Sequence, residues 1–350
     1  MKKYLTIDPW KIIEDGFYAK NNRISESVFS LGNGHMGQRA NFEEDYSGDT
    51  LQGNYLAGIY YPDKTRVGWW KNGYPEYFAK VLNAPNWIGI HVALDGEILD
   101  LAKCKIDSFR RVLNMKEGLL RRTFTAELPN GKLIEVESIR FVSLTMPEIG
   151  AIHYSITPKN FSGTLTLIPY IDADIQNEDA NYHEKFWDAV EQKAETNSAY
   201  VIVRTRKTAF TVCSAMTWDI LQDNKPLNIN STPEEKEKYV ANKIQFPIKQ
   251  NQKTTFVKFA ANVTSRDHAP SELKTIAHEL LKKAQQTGFG SLLDVHCKAW
   301  ESKWKESDII VEGDDSAQQG IRFNIFQLNQ TYTGEDDRLN IGPKGFTGEK

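Results

Sequence analysis

A large antiparallel β-sandwich trailed by a few helices is the fold this sequence predicts, and three observations predict it. A period-two apolar pattern runs from about Trp87 to Asn262, tight-turn signals punctuate that run, and helical spacing replaces it after Pro270. Half-buried strands joined by tight turns over so long a stretch require a sandwich, because each apolar face needs a second layer to cover it.

The strands follow in order. Ile88, Ile90, Val92 and Leu94 alternate with Gly89, His91 and Ala93, and Leu120, Phe124, Ala126 and Leu128 alternate with Arg121, Thr123, Thr125 and Glu127. In Ile134-Glu-Val136-Glu-Ser138 followed by Ile139-Arg-Phe141 the apolar parity switches, which predicts a β-bulge. Ile152, Tyr154 and Ile156 come next, then Leu165 and Leu167, then Val257, Phe259 and Ala261. Asp95-Gly96, Pro129-Asn130-Gly131 and Asn160-Phe-Ser-Gly163 read as hairpin turns between these runs.

Beyond residue 266 the period changes. Ser271 is a candidate N-cap for a helix carrying Leu273, Ile276, Ala277, Leu280, Leu281 and Ala284 on one face, and Gly288 and Gly290 break it. A second helix carries Leu292, Leu293, Val295, Trp300 and Trp304. A third, from about Ser316 to Tyr332, places Ile321, Ile325 and Leu328 on one stripe. Residues 334–350 read as a loop rich in glycine and charge. The expected organisation is a sandwich over 1–266, a helical linker over 267–315, and from 316 to 350 the start of a further helical domain, because nothing later in the chain covers the third helix.

Composition narrows the function. The chain has 350 residues, 40% hydrophobic and 25% charged, with 43 Lys and Arg against 46 Asp and Glu for a net charge of -3. Without a basic excess or basic run, nucleic acid is a poor partner. No stretch approaches the roughly 18 apolar residues of a membrane span, and the N-terminus lacks a signal-peptide core. The three cysteines, Cys104, Cys213 and Cys297, are far apart, which favours reduced thiols in a cytoplasmic protein.

The motifs are ambiguous taken singly. Gly32-Asn-Gly34-His-Met-Gly37 matches a G-x-G-x-x-G string, but no helical stripe follows it, so glycines serving tight turns are the better reading than a dinucleotide site. Residues 54–78 hold eight aromatics, among them Trp69, Trp70 and Tyr74, interrupted by Gly and Pro. This reads as a long structured loop that either forms an interface or stacks on sugar rings. Glu43-Glu44-Asp45 and Asp172-x-Asp174 resemble catalytic carboxylate pairs, although solvated turns are the simpler reading. The seven histidines show no metal-binding pairing, so no metal is expected.

Longer strings carry a resemblance. Glu26-Ser-Val-Phe-Ser-Leu-Gly-Asn-Gly-His-Met-Gly-Gln-Arg39 resembles the opening of the glycoside hydrolase family 65 α-glucoside phosphorylases, which cleave maltose, kojibiose, nigerose or trehalose. Residues 47–58 and 61–75 look most like the maltose-cleaving branch. The runs from Asn114 to Arg121 and Arg322 to Gln330, and Asn340-Ile-Gly-Pro-Lys-Gly-Phe-Thr-Gly-Glu-Lys350, are similar to further family strings. His35 departs from a position where tyrosine is common. The resemblance implies an N-terminal sandwich, a helical linker and an (α/α)6 barrel, of which this chain would hold the first helix. It implies an inverting phosphorolysis of maltose to glucose and β-glucose 1-phosphate, in which inorganic phosphate is the co-substrate and no metal or organic cofactor is needed. It also implies a homodimer and a general-acid glutamate beyond Lys350, so that 1–350 alone would be inactive. Lys344, Phe346, Thr347 and Glu349 would line or support the glucose subsite, unless the intervening glycines merely shape a barrel loop. A non-catalytic carbohydrate-binding or structural sandwich stands as the alternative from another class.

Overall fold

Alternating side chains along the central strands are divided between two facing sheets. The computed structural model describes residues 4–66, 73–339 and 345. The larger, 11-stranded sheet runs in the order Leu5–Thr6, Lys11–Asp15, Lys105–Asn114, Leu119–Glu127, Leu133–Val142, Ile149–Pro158, Thr254–Thr264, Thr211–Gln222, Ser198–Thr205 and Trp187–Ala194, with Lys225–Pro226 paired to the end of Thr211–Gln222. The 5-stranded sheet runs Thr232–Lys236, Tyr239–Ile248, Gly163–Asp172, Ile90–Leu94 and Glu97–Ile98. Every strand pairing in both sheets is antiparallel. The mainly β antiparallel fold is as the sequence predicts. The main core lies between the sheets, where Val92, Leu94, Val136, Tyr154, Leu165 and Ile244 are buried.

Two strand-level expectations fail for instructive reasons. The parity switch at 138–139 is no bulge: Leu133–Val142 pairs without a register shift to Leu119–Glu127 on one side and Ile149–Pro158 on the other. Ile134 and Val136 point into the sandwich, whereas Phe141 belongs to a second core on the sheet's outer face, under the helices. A strand covered on both faces loses its alternation. The true register shifts fall at Ile106/Ser108 and Ala189/Glu191. Asn160–Gly163 makes no hairpin either, because it carries the chain from Ile149–Pro158 in one sheet to Gly163–Asp172 in the other. Asp95-Gly96 does close a hairpin, both residues holding positive φ (51° and 84°), as a type I′ turn demands.

The aromatic segment is not a loop throughout. Tyr60–Lys64 and Tyr77–Val81 pair as a two-stranded ribbon. Tyr61 and Asp63 point inward, where Tyr61 stacks on Phe186 at 4.2 Å and Asp63 pairs with Lys80 at 2.9 Å. Tyr60, Tyr77 and Phe78 stay exposed. Pro62 inside the first strand, and Gly58, Gly73 and Pro75 outside the pair, disguise a short alternation as irregular chain.

Four α-helices complete the described chain. Helix α1 (Asn22–Val28) leads into a small sheet of Leu31–Gly32, Met36–Gln38 and Asn54–Leu56. Helix α2 (Leu273–Thr287) buries Leu273, Ala277, Leu281 and Ala284 on the outer face of the large sheet. Its N-cap is Glu272 with no side-chain bond, so Ser271 does not cap it. Helix α3 (Phe289–Ser307) buries Leu292, His296, Trp300 and Trp304, while Val295 is exposed.

Helix α4 (Asp315–Thr331) is capped by Asp314, whose carboxylate accepts from the Ser316 and Ala317 amides. Its buried stripe is Gln318, Arg322, Phe326 and Gln330, not Ile321, Ile325 and Leu328, and Leu328 is 58% exposed. Gln318 and Arg322 in this stripe are buried with partners. Gln318 bridges the Ile309 carbonyl and the Val311 amide at 2.8 and 2.7 Å. Arg322 forks onto Asp308 at 2.8 Å through both nitrogens and lies 3.6 Å over the Trp10 ring. No described helix is long and apolar enough to cross a membrane.

Candidate functional site

The Gly32–Gly37 string opens the site. It is a turn between Leu31–Gly32 and Met36–Gln38, with no strand-to-helix geometry for a nucleotide. Asn33 holds its shape: its side-chain carbonyl accepts from the His35 and Met36 amides at 3.1 and 2.9 Å, and its amide donates to the Ser143 and Pro147 carbonyls. Gly34 has φ +83°, and a Cβ there would meet Thr333 Cγ2 at 2.7 Å. Its amide donates to the Gln330 carbonyl at 2.8 Å. Glycine is thus required twice, for the left-handed backbone and for the close approach of the chain leaving α4.

Residues far apart in sequence meet around that turn in a cavity of about 480 Å³. Arg266 reaches the Ala57 carbonyl at 2.9 Å and Asp336 at 3.4 Å. Its guanidinium occupies the space a Cβ on Gly58 (φ +71°) would take. His35 bonds the Asn262 carbonyl at 3.1 Å, with its other nitrogen 3.8 Å from Asp267, and His268 bonds Glu148 at 2.7 Å. Arg338 forks onto Asp336 at 2.8 Å, reaches Asp267 at 2.6 Å and donates to the Arg266 carbonyl at 2.8 Å. Its guanidinium holds the Asp336 carboxyl well below the usual carboxylate range. Arg266 and Arg338 therefore pin residues 332–339 to the sandwich. Glu335 and Asp337 add carboxylates to the lining, so the cavity suits a hydroxyl-rich or cationic molecule better than a free anion. Among the described residues no group of three or more His, Cys, Asp or Glu is placed to hold a metal ion.

Glu43 and Glu44 are not a solvated turn. Both are buried, Glu43 at 3% and Glu44 at 4% exposure, in a network of cations. Arg122 binds Glu43 at 2.6 Å and Glu44 through both nitrogens, and Arg140 binds Glu43 at 2.9 Å. Burial pushes the Glu43 carboxyl up, but Arg140 and then Arg122 outweigh it and hold the group below its ordinary value. Arg122 is the inward residue between Leu120 and Phe124, so a charged side chain occupies a core position of an otherwise apolar alternation. The network braces the segment that follows the glycine turn and is not a general acid–base pair. Asp174 is exposed and paired with Lys185 and Lys238, a solvated turn as expected, while Asp172 is half-buried.

Of the residues singled out in the sequence, Lys344, Phe346, Thr347, Glu349, Trp69 and Trp70 lie outside the described residues. Tyr74 is exposed beside the ribbon, edge-to-face with Phe78 at 5.9 Å, and does not line the cavity. Gly345 (φ +56°) lies against Thr331, whose Oγ1 would be 2.7 Å from an added Cβ. Arg266, His268, Asp336 and Arg338 carry no sequence motif, and only the fold assembles them.

Comparison with known proteins gives one consistent set of relatives. Residues 12–303 match the family profile described as "Glycosyl hydrolase family 65, N-terminal domain". The chain is 43% identical over 349 residues, all of its own length and 45% of the relative's, to a maltose phosphorylase of Bacillus subtilis (strain 168). It is 33% identical to an alpha,alpha-trehalose phosphorylase of Thermoanaerobacter brockii, across 99% of this chain and 46% of that one. A solved structure titled "Putative kojibiose phosphorylase from human microbiome" superposes with a TM-score of 0.89 at 30% identity, covering 99% of this chain and 45% of that one. The chain thus spans about half the length of the curated relatives it matches.

Proposed function

Because the chain belongs to glycosyl hydrolase family 65, we propose that it forms the N-terminal sandwich and the helical lead-in of an inverting disaccharide phosphorylase acting on maltose. The observation carrying this reading is the tether between the glycine turn and residues 332–339, since the family-like string around Lys344, Phe346, Thr347 and Glu349 follows that tether directly. The greater identity to the maltose enzyme (43%) than to the trehalose (33%) or kojibiose (29%) enzymes supports the choice of substrate.

In the proposed reaction a phosphate oxygen forms a bond to the anomeric carbon as the glycosidic bond breaks, and a carboxylic acid protonates the departing glucose oxygen. An inverting hydrolase needs a second carboxylate to activate water. Phosphate is already an anion, so that base becomes unnecessary and a cradle of cationic and hydroxyl donors binds and orients the nucleophile instead, without a metal or organic cofactor. The acid and the cradle are assigned to residues beyond Lys350, and 1–350 alone is inactive in this reading. The assembled enzyme is a cytoplasmic homodimer.

The test incubates purified 1–350, and separately the product of the complete reading frame, with phosphate and each of maltose, kojibiose, nigerose and trehalose. Glucose 1-phosphate from the longer protein with maltose alone is the expected result. Its release by 1–350, or a preference of the longer protein for another linkage, overturns the assignment.

A further inference from the structure

A second cavity, sharing no lining residue with the first, lies on the outer face of the large sheet where α2 turns into α3. Its volume is about 560 Å³, within the range of small-ligand sites. Val257 and Phe259 form the floor, and Phe289, the first residue of α3, forms a wall. His153 stands beside Phe289 with ring centroids 5.3 Å apart. Trp218, Ile220, Leu227 and Ile229 extend the apolar part of the lining. Around the mouth stand Asp219, whose carboxylate takes one bond from Gln285 at 2.7 Å, and the exposed amides of Asn197 and Asn228.

We infer that this cavity binds a neutral hexopyranose unit, separately from any catalytic centre. Three features of the lining select that class. No Lys or Arg lines the cavity, so a phosphorylated or carboxylated ligand would be desolvated without a counter-charge. Planar amide, carboxylate and imidazole groups supply both donors and acceptors, as vicinal hydroxyls require. The apolar floor and the Phe289 ring suit the C–H face of a pyranose, which a purely polar cleft would leave unpaired. The site does not rest on the phosphorylase reading.

Gly290 supplies a test that leaves packing intact. It is exposed in the first turn of α3, a Cβ added there meets nothing within 4 Å, and Gly290→Tyr puts a ring at the cavity mouth. Glucose, maltose, glucose 1-phosphate and cyclohexanol are titrated into 1–350 by calorimetry. Saturable binding of glucose and maltose near 1 mM is expected, weakened about tenfold or more by Gly290→Tyr and by His153→Leu. Glucose 1-phosphate should bind at least about tenfold more weakly than glucose. Absence of saturable sugar binding overturns the proposal. So does binding that survives Gly290→Tyr, or cyclohexanol binding as tightly as glucose. None of these outcomes bears on phosphorolysis by the longer protein.

Discussion

Acidification should weaken this fold through one histidine. His296 lies fully buried in α3, where the Leu144 amide donates to Nδ1 at 3.2 Å and Nε2 faces the Gly118 carbonyl at 3.0 Å. The Leu144 donor requires an acceptor at Nδ1, so the proton sits on Nε2 and the ring is neutral. Burial is the main reason its pKa is pushed down to about 4, against an ordinary 6.5. Between those values the unfolded chain takes up a proton that the folded chain refuses, so the stability this group contributes is complete above pH 6.5 and drains away as pH falls towards 4. From pH 7 to pH 5 the loss works out at about 2 kcal/mol. Other groups titrate too, so the assay compares the chain with His296→Gln, whose amide can reproduce one donor and one acceptor but cannot ionise. Urea unfolding followed by tryptophan fluorescence, at pH 7 and pH 5, should show the variant losing about 2 kcal/mol less than the parent between the two pH values. Equal losses in the two proteins would refute the burial argument.

Other perturbations probe the site and its supports. Arg122→Ala strands Glu43 and Glu44 without their shared cation and should cost about 3–5 kcal/mol in guanidinium unfolding, whereas a change under about 1 kcal/mol would show the network to be dispensable. Gly34→Ala, at φ +83° and with its Cβ 2.7 Å from Thr333 Cγ2, should cost about 1–3 kcal/mol and speed proteolysis within 332–339. Adding Thr333→Ser, which deletes that methyl, should recover part of the loss. Lys258 donates only to the Gly89 and Tyr170 carbonyls, at 3.0 and 2.9 Å, and burial holds its pKa well below the usual lysine value. Lys258→Met should therefore change stability by no more than about 1 kcal/mol near neutral pH. The parent should gain on the variant as pH rises towards the ordinary lysine value, because the unfolded chain holds the proton longer.

The sequence by itself determined the class of fold and the family. Alternation in Ile90–Leu94 and Leu119–Glu127, the Asp95-Gly96 turn and the change of period after Pro270 are local signals, written within a few residues of the structure they specify. The long string around Asn33 and Gly34 is likewise contiguous and therefore recognisable. Tertiary structure decided what depends on a second surface. Phe141 seemed to demand a bulge because one sequence cannot announce that helices will cover the sheet's far face. Glu43 and Glu44 seemed solvated because their cations, Arg122 and Arg140, lie about 80 and 100 positions away, on strands that only folding brings beneath the glycine turn. The pairing of Arg338 with Asp267 has the same character. Periodicity reports the direction in which a side chain leaves the backbone, but not the partner that waits there, and for charged groups the partner sets the role.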